Sequence, residues 1–179
     1  MVLEGELRGK YVSLRSVAAA DAADTARLRG DEELTRHIHR VDTTLEGQKK
    51  YIEWQRQQPG DYYFSIRGAE EGQFLGTIAL YHFDGSMAEL GRWISRGNAF
   101  QNLEAVILVH DFAFEHLGLE AVCTCTNVTN ERVIGFWRRF GSDRLYIEEQ
   151  ADFTASKNIV TRETYAGAIR PRMEKMLRY

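Results

Sequence analysis

The sequence predicts an α/β (α+β) fold, in which a mixed central sheet of about six to seven strands carries helices on both faces. Segments that alternate in polarity, as strands do, are interleaved with segments of helical periodicity. One long apolar helix stands between two of these strands, which is the pattern of a right-handed parallel crossover. The 179 residues suffice for one core and contain no linker, repeat or low-complexity segment. We therefore expect one domain over residues 1–179.

The first half of the chain is predicted to hold one strand, two helices and a hairpin. These elements are a strand at 11–15, helices at 18–29 and 44–58, and antiparallel strands at 62–67 and 74–81. Aspartates early and arginines late in the first helix suit the helix dipole, and Gly30 ends it. Thr44 caps the second helix, and Pro59 with Gly60 stops it. Residues 34–41 are expected to form a polar loop between the helices.

The second half alternates strands and helices and ends in a basic segment. The predicted elements are a strand at 88–95, a helix at 102–117, a strand at 121–126, a shorter helix between Asn130 and Gly141, strands at 145–153 and 159–168, and a terminal segment at 170–179. Apolar residues cover most of the helix at 102–117, so we expect it to be buried on more than one side. Asn130 is expected to cap the next helix and Gly141 to end it.

Composition and charge narrow the classes of function. The net charge is −3 and no long basic run is present, which argues against non-specific nucleic-acid binding. No apolar run approaches the roughly 20 residues of a membrane helix, and residues 1–10 lack a signal-peptide core. Cys123 and Cys125 point the same way in one strand, so we expect reduced thiols, no metal and a cytoplasmic protein.

A strand, a short polar turn and a helix follow one another from residue 88 to residue 117. The first amides of a helix lack intrahelical partners and its dipole is positive there, so this turn can bind an anion. Glu89 is the only acid in the otherwise apolar strand just before the turn. An anion site and an isolated carboxylate are therefore expected within a few residues of each other.

These segments resemble the acyl-CoA-binding core of the GNAT acetyltransferase superfamily. The resemblance rests on Ala-Glu-Leu-Gly-Arg-Trp-Ile at 88–94, Glu-Ala at 104–105 and Asp-Phe-Ala-Phe-Glu-His-Leu-Gly-Leu at 111–119. Residues 127–141 resemble the superfamily's next motif, in which an Asn opens a helix that closes with an aromatic residue and Gly. The resemblance covers roughly residues 12–168 and implies transfer of an acyl group from acetyl-CoA or another acyl-CoA to a primary amine.

The resemblance also implies roles for individual residues. Glu89 would be the base that takes a proton from the amine, directly or through water, since it matches a catalytic Glu of several members. The alternative is a strand acid in a salt bridge, with Arg92 or another arginine. The backbone N–H of Trp93 or Ile94 would face the thioester oxygen. Asn130 would bond the pantetheine arm, or it would only cap its helix, and Phe136 belongs to the same motif.

The turn that would bind the CoA pyrophosphate departs from the family pattern, because it keeps only one glycine. The residues expected at the cofactor are Arg96, Gly97, Asn98, Gln101, Asn102 and Leu103. With fewer glycines, the phosphates must rely on the first helical amides and on Arg96. A non-catalytic member of the fold is therefore an open alternative. Trp137 stands where many members carry a Tyr that reprotonates the thiolate, and core packing is its expected role.

The acceptor site is expected where the loop before residue 41 meets the end of the second hairpin strand. His37, His39, Tyr81 and His82 are the predicted substrate-binding residues. A small-molecule amine on a nucleotide-linked amino sugar is the favoured acceptor by family likeness, in a closed cleft with aromatic residues and a phosphate-pairing cation. A ribosomal-protein-like N-terminal acetyltransferase is the alternative, with an open acidic groove. A homodimer through the C-terminal strand pair is a further expectation.

Overall fold

Eight strands form one mixed sheet in the computed structural model, which describes residues 1–150 and 152–178. The strands are β1 (Glu6–Arg8), β2 (Val12–Ser16), β3 (Tyr62–Gly68), β4 (Phe74–Asp84), β5 (Met87–Ser95), β6 (Ala121–Asn127), β7 (Asp143–Glu149) and β8 (Thr154–Thr161). Their order across the sheet is β1-β2-β3-β4-β5-β6-β8-β7. Only β5 and β6 pair in parallel, and every other neighbouring pair is antiparallel. The predicted mixed sheet is confirmed, with the short β1 as the strand that the sequence did not reveal.

Helices cover both faces of this sheet. They are α1 (Ala22–Arg29), α2 (Glu32–Thr35), α3 (Leu45–Gln57), α4 (Ala99–Asp111), α5 (Glu131–Phe140), α6 (Arg162–Thr164) and α7 (Arg170–Leu177). A π-helical turn, Phe112–His116, continues α4, and another, Tyr165–Ile169, joins α6 to α7. On β4, Ile78 and Leu80 pack in the large core under α4, α5 and α7, whereas Ala79 packs in the smaller core with Ile52 of α3. This alternation gives the sheet two apolar faces.

Caps decide where several helices begin and end. Thr44 accepts a hydrogen bond from the Gly47 amide at 3.0 Å, as expected of the residue that opens α3. Gly141 ends α5 with a φ of 102°, in the left-handed region that favours glycine. The predicted helix at 102–117 begins three residues earlier, because Asn98 and Gln101 form a reciprocal capping box.

The C-terminal region differs from the prediction. Strand β8 ends at Thr161, so the second half of the strand expected at 159–168 is helical. The Thr161 hydroxyl accepts a hydrogen bond from the Thr164 amide at 3.1 Å, which starts a helix there. Tyr165, Ile169 and Met173 are buried at helical spacing against the main core. The segment at 170–179 forms α7 up to Leu177, and Arg178 caps it. Tyr179, and Ala151 of the strand expected at 145–153, lie outside the described residues.

The opposite edge of the sheet is formed by β7. Its outer edge pairs with no strand in the described chain, and Leu145, Tyr146 and Ile147 are each about half exposed. A homodimer through this C-terminal strand pair stays a prediction. In the same described residues, no helix is long and apolar enough to cross a bilayer.

A buried histidine gives the fold a predicted dependence on pH. His110 of α4 is fully buried, its ring lies 5.0 Å from that of Phe140 and 5.3 Å from that of Tyr165, and its Nδ1 bonds the Val106 carbonyl. Burial lowers the pKa of His110 to about 4, from 6.5. As the pH falls, His110 therefore becomes protonated at a higher pH in the unfolded chain than in the folded chain. The free energy of unfolding should drop by roughly 2–4 kcal/mol between pH 6.5 and pH 4.

Urea unfolding at pH 7 and pH 4.5 measures this dependence. His110→Phe keeps an aromatic ring but has no proton to gain, so its unfolding free energy should change less between the two pH values. An equal change in the wild type and in the variant would show that His110 contributes nothing to the acid sensitivity.

Candidate active site

An opening between β5 and β6 is the centre of the candidate site. The two strands pair at only three positions, Met87 with Ala121, Ala88 with Val122 and Glu89 with Cys123. Beyond the Glu89–Cys123 pair, β5 continues to Ser95 and β6 continues to Asn127, but the two strands no longer pair with each other. The separated edges line a cleft of about 610 Å³, a volume typical of small-molecule sites. Unpaired peptide groups there can bond an extended ligand as an added strand would.

A β-bulge lies in β5 beside this opening. Ala79 of β4 faces Gly91 and Thr77 faces Ile94, so β5 has two residues where β4 has one. Arg92, within the bulge, has a φ of 47°, which is uncommon for a residue with a side chain. The Thr77 hydroxyl donates a hydrogen bond to the Arg92 carbonyl at 3.0 Å and holds the bulge in place.

The bulge sets which amide faces the opening. Beyond it, the Arg96 amide donates to the Leu75 carbonyl at 2.8 Å, toward β4. Successive peptide groups along a strand point to opposite sides. The Ile94 amide therefore also points toward β4. This leaves the Trp93 amide, at the bulge itself, as the proposed donor to the thioester oxygen.

The Glu89 carboxylate lies in the same cleft. Its side chain is 15% exposed, and its Oε1 accepts a hydrogen bond from the Tyr81 hydroxyl at 2.9 Å. Its Oε2 lies 3.7 Å from Nδ1 of His82 and 4.0 Å from Nζ of Lys157. Arg92, named as a salt-bridge partner for Glu89, instead pairs with Asp61 at 2.7 Å. One carboxylate oxygen is thus held by a neutral donor, and the other faces His82 and Lys157.

Arg92 packs against Tyr81, the residue that donates a hydrogen bond to this carboxylate. The Arg92 guanidinium lies 4.2 Å from the centre of the Tyr81 ring. Burial alone would lower the pKa of Arg92, but the hydrogen bond that Arg92 donates to Asp61 and the Coulombic effects of the neighbouring groups together outweigh burial and raise that pKa. Burial, followed by the charge of Glu89, raises the pKa of Tyr81 well above its usual range, so the hydroxyl stays protonated as a donor. A Cβ at Gly91 would lie 2.4 Å from the Tyr81 hydroxyl, so glycine is needed there.

We expect Tyr81→Phe to lower kcat roughly tenfold, because the variant loses a hydrogen bond to the charged carboxylate. Tyr63→Phe is the matched control, since the buried Tyr63 hydroxyl has no hydrogen-bond partner in the described residues. Steady-state kinetics and melting temperatures of both variants check the prediction. Equal activity of the two variants would mean that the Tyr81 hydroxyl does not position Glu89.

The four residues predicted for the acceptor side all line the cleft that contains Glu89. They are His37, His39, Tyr81 and His82. Nδ1 of His37 lies 3.0 Å from the Thr129 hydroxyl, and Nδ1 of His39 lies 3.4 Å from a carboxylate oxygen of Asp152. The structure therefore brings the helix–helix loop and the end of β4 to one side of the opening. No group of three or more metal-ligating side chains is found in residues 1–150 and 152–178.

Of the residues expected near the cofactor, some line the cleft and the others do not. Asn130 and Trp137 line the cleft, and the Asn130 side chain accepts a hydrogen bond from the Val133 amide at 3.3 Å as a helix cap. Phe136 packs against Trp93, with ring centres 4.9 Å apart. The Ile94 side chain is 3% exposed and belongs to the core. The remaining predicted residues, from Arg96 to Leu103, do not line the cleft.

The polar turn before α4 satisfies several of its own amides. Gly97 donates to the Ser95 hydroxyl at 2.9 Å, and the Asn98 and Gln101 amides donate to each other's side chains. The Asn102 side chain donates to the Gly97 carbonyl at 2.6 Å, and Leu103 is buried. The capping box therefore leaves the amides of Ala99 and Phe100 as the helical donors for an anion.

Arg96 also has a partner in this region. Its guanidinium lies 2.8 Å from the carboxylate of Asp31, and each side chain is at least 30% exposed. The Arg96 hydrogen bond lowers the pKa of Asp31, followed in effect by the Leu34 amide. A phosphate bound by Arg96 would therefore compete with a carboxylate.

Several residues that line the cleft were not predicted as site residues. Among them are Thr124 and Cys125 of β6 and Lys157 of β8. The Thr124 hydroxyl is buried at the opening without a hydrogen-bond partner in the described chain, and so is Nε1 of Trp93. Lys157 reaches the site because β8 pairs with β6, with Lys157 opposite Cys125. Only the sheet register could have revealed this position.

The two thiols of β6 remain protonated. Burial, and then the charge of Glu89, raises the pKa of Cys123 to about 11, and burial raises that of Cys125. Both cysteines are free, which agrees with the expected reduced thiols. Protonated thiols are poor nucleophiles, so neither cysteine is prepared for attack on a thioester.

Comparisons with known proteins agree on the family and the fold. Residues 12–143 match the family model described as an acetyltransferase (GNAT) domain. Among solved structures, the apo form of FdhC, a nucleotide-linked sugar GNAT, is 21% identical with a TM-score of 0.82, over 98% of each chain. A GCN5-related N-acetyltransferase from Brucella melitensis is 16% identical with a TM-score of 0.85, over 97% of this chain and 85% of that one.

A mutant of the spermidine N-acetyltransferase SpeG from Vibrio cholerae is more distant in sequence. It is 12% identical with a TM-score of 0.75, over 89% of this chain and 98% of that one. At these identities the neighbours establish the fold alone. No curated protein sequence matches the chain significantly.

Proposed function

Because the chain belongs to the GNAT acetyltransferase family, we propose that it moves an acyl group from acyl-CoA to the amine of a nucleotide-linked amino sugar. The observation that carries the proposal is the opening between β5 and β6, which has the Glu89 carboxylate at its closed end. A thioester lying along that opening would bring its carbonyl near the Trp93 amide. An amine entering from the side of His37 and Tyr81 would meet it beside Glu89.

The residues of the opening fit an acyl-CoA in part. Thr124 and Trp93 offer polar side-chain atoms that are buried and lack partners in the described chain, as expected where a ligand supplies them. The Asn130 side chain caps α5 through Oδ1, and its amide nitrogen can still donate to the pantetheine arm. For the pyrophosphate, Ala99 and Phe100 amides at the start of α4 are the proposed donors.

The chemistry of the chain's own residues follows from this placement. Acetyl-CoA supplies the acyl group as an activated thioester. Glu89 takes a proton from the amine, directly or through water, while the amine nitrogen bonds the carbonyl carbon. The Trp93 amide donates to the carbonyl oxygen as negative charge grows there. The carbon–sulfur bond then breaks, and the thiolate takes a proton from solvent, since Trp137 at the expected acid position has no hydroxyl.

The charges of the cleft support an anionic acceptor over a cationic one. Of the three cations that line it, Arg92 pairs with Asp61 and Lys157 lies near Glu89, so Arg29 is the cation available to an anionic acceptor. The aromatic rings of Tyr51 and Tyr81 stand in the same wall and suit a sugar ring or a base. The groove expected for a protein N-terminus is acidic, whereas cationic side chains outnumber carboxylates in the lining of this cleft.

A panel of acceptors tests the proposal. Nucleotide-linked amino sugars, ribosomal-protein N-terminal peptides and polyamines are offered with acetyl-CoA, and released CoA is followed as free thiol. We expect the amino sugars to give the highest kcat/KM. Faster transfer to the peptides would favour the ribosomal-protein alternative. Absence of acetyl-CoA binding in a calorimetric titration would favour the non-catalytic alternative.

A further inference from the structure

A partly buried arginine with no carboxylate partner among the described residues lies beside the candidate active site. Arg29 is the last residue of α1, and its Nε is buried with no hydrogen-bond partner in the described chain. Arg67 also has a buried Nε without a partner, but its guanidinium pairs with Asp21, and that of Arg92 pairs with Asp61. A desolvated guanidinium with an unused donor is unfavourable by itself. A bound anion would accept the hydrogen bond that Arg29 Nε can donate and would balance the charge of the guanidinium.

A second groove extends from this arginine. It has a volume of about 450 Å³ and shares Arg29, Ile38, His39 and Val41 with the cleft that holds Glu89. Arg36 and Arg40 line it as well, and neither has an ion-pair partner within the described residues. Glu32 is the sole carboxylate among its lining residues. The groove is therefore positively charged and continuous with the candidate active site.

A buried amide oxygen in the main cleft points to a ligand there independently of charge. Gln48 of α3 is 2% exposed and lines the main cleft, as Arg29 does. Its Nε2 donates to the Asp42 carbonyl at 2.5 Å, but its Oε1 is buried without a hydrogen-bond partner among the described residues. Buried acceptors are normally satisfied. A hydroxyl or N–H of a bound molecule would satisfy this one.

We propose that the groove formed by Arg29, Arg36 and Arg40 binds the phosphate groups of the acceptor, while the acceptor amine reaches Glu89. The acceptor class is then a phosphate or diphosphate ester of an amine. Planar guanidinium groups bind phosphate oxygens in pairs, which gives both affinity and orientation. This inference rests on the proposed function for its amine end, but the phosphate end can be measured without catalysis.

Titration of the whole protein with inorganic pyrophosphate tests the phosphate end. We expect Arg29→Gln to weaken pyrophosphate binding at least about tenfold, because hydrogen bonds to charged groups are lost. Arg27→Gln is the matched control, since Arg27 lies on the same helix, is 71% exposed and pairs with Asp24. Arg40→Gln, at an exposed position of the groove, should weaken binding in the same direction without disturbing the core. Equal affinities in the wild type and both groove variants would overturn the inference.

A kinetic comparison shows whether the groove binds the phosphates of the acceptor or those of CoA. Arg29→Gln should raise KM for a nucleotide-linked amino sugar about tenfold and leave KM for acetyl-CoA unchanged. A rise in KM for acetyl-CoA of the same size would assign the groove to the phosphates of CoA and overturn the inference. If pyrophosphate binding depends on Arg29 but no amine is acylated, the groove stands and the proposed transferase function fails.

Discussion

Glu89→Gln is expected to lower kcat by about 10²-fold or more, since the amide cannot take the proton of the amine. Gln keeps the length of the side chain and can still accept the Tyr81 hydrogen bond, so the fold should be unchanged. The KM for acetyl-CoA should change little, because Glu89 is proposed to act on the amine and not on the cofactor. Steady-state kinetics on the best acceptor, with melting temperatures, check the result.

Glu148→Gln is the matched control for this variant. Glu148 lies 3.7 Å from Lys157, which also faces Glu89, but its side chain is 42% exposed. Removal of its charge alters the field around Lys157 without removing the proposed base. If both variants kept near-wild-type turnover, Glu89 would be a strand acid that serves structure alone. If both lost turnover equally, the charge balance at Lys157 would be responsible.

Glu104→Ala is expected to destabilise the protein by about 3–5 kcal/mol. Glu104 of α4 is fully buried, and its carboxylate accepts hydrogen bonds from the amides of Lys10, Tyr11 and Val12 at 2.6–2.8 Å. Alanine leaves these three donors without that acceptor in a place from which water is largely excluded. Denaturant unfolding at neutral pH measures the loss.

Two further variants separate this effect from general damage to the helix. Glu115→Ala removes an exposed acid just beyond α4 and should change stability by less than about 0.5 kcal/mol. Gly9→Ala should destabilise like Glu104→Ala, because a Cβ at Gly9 would lie 2.3 Å from the Glu104 carboxylate. An unfolding free energy of Glu104→Ala close to that of the wild type would mean that water replaces the carboxylate.

The sequence was sufficient for the fold because its signals are local. Hydrophobic periodicity marks α4, Thr44 and Asn130 mark helix starts, and Gly141 marks a helix end. The same patterns brought Glu89 close to a strand-to-helix turn. They failed at 162–168, a short segment of mixed polar and apolar residues that suits a strand and a helix equally well, and the Thr161 cap begins a helix there.

The acceptor side of the site is formed by segments that are far apart in the sequence. His37 and His82 reach one cleft because β4 and the loop after α2 meet in space, and that placement could be anticipated from the family resemblance. Lys157 and Arg29 could not, because their positions follow from the β6–β8 register and from how α1 packs. The capping box of Asn98 and Gln101 was also unpredicted, since its pattern starts from Asn and not from Ser or Thr.

The central claim is that an acyl-CoA lies in the opening between β5 and β6. Backbone amide NMR during a titration with acetyl-CoA tests this claim most directly. We expect the largest shift changes at Trp93 and at the facing residues Thr124 and Cys125, with a smaller change at Ile94, whose amide points toward β4. Shift changes confined to surfaces away from β5 and β6, or no saturable change at all, would contradict the account.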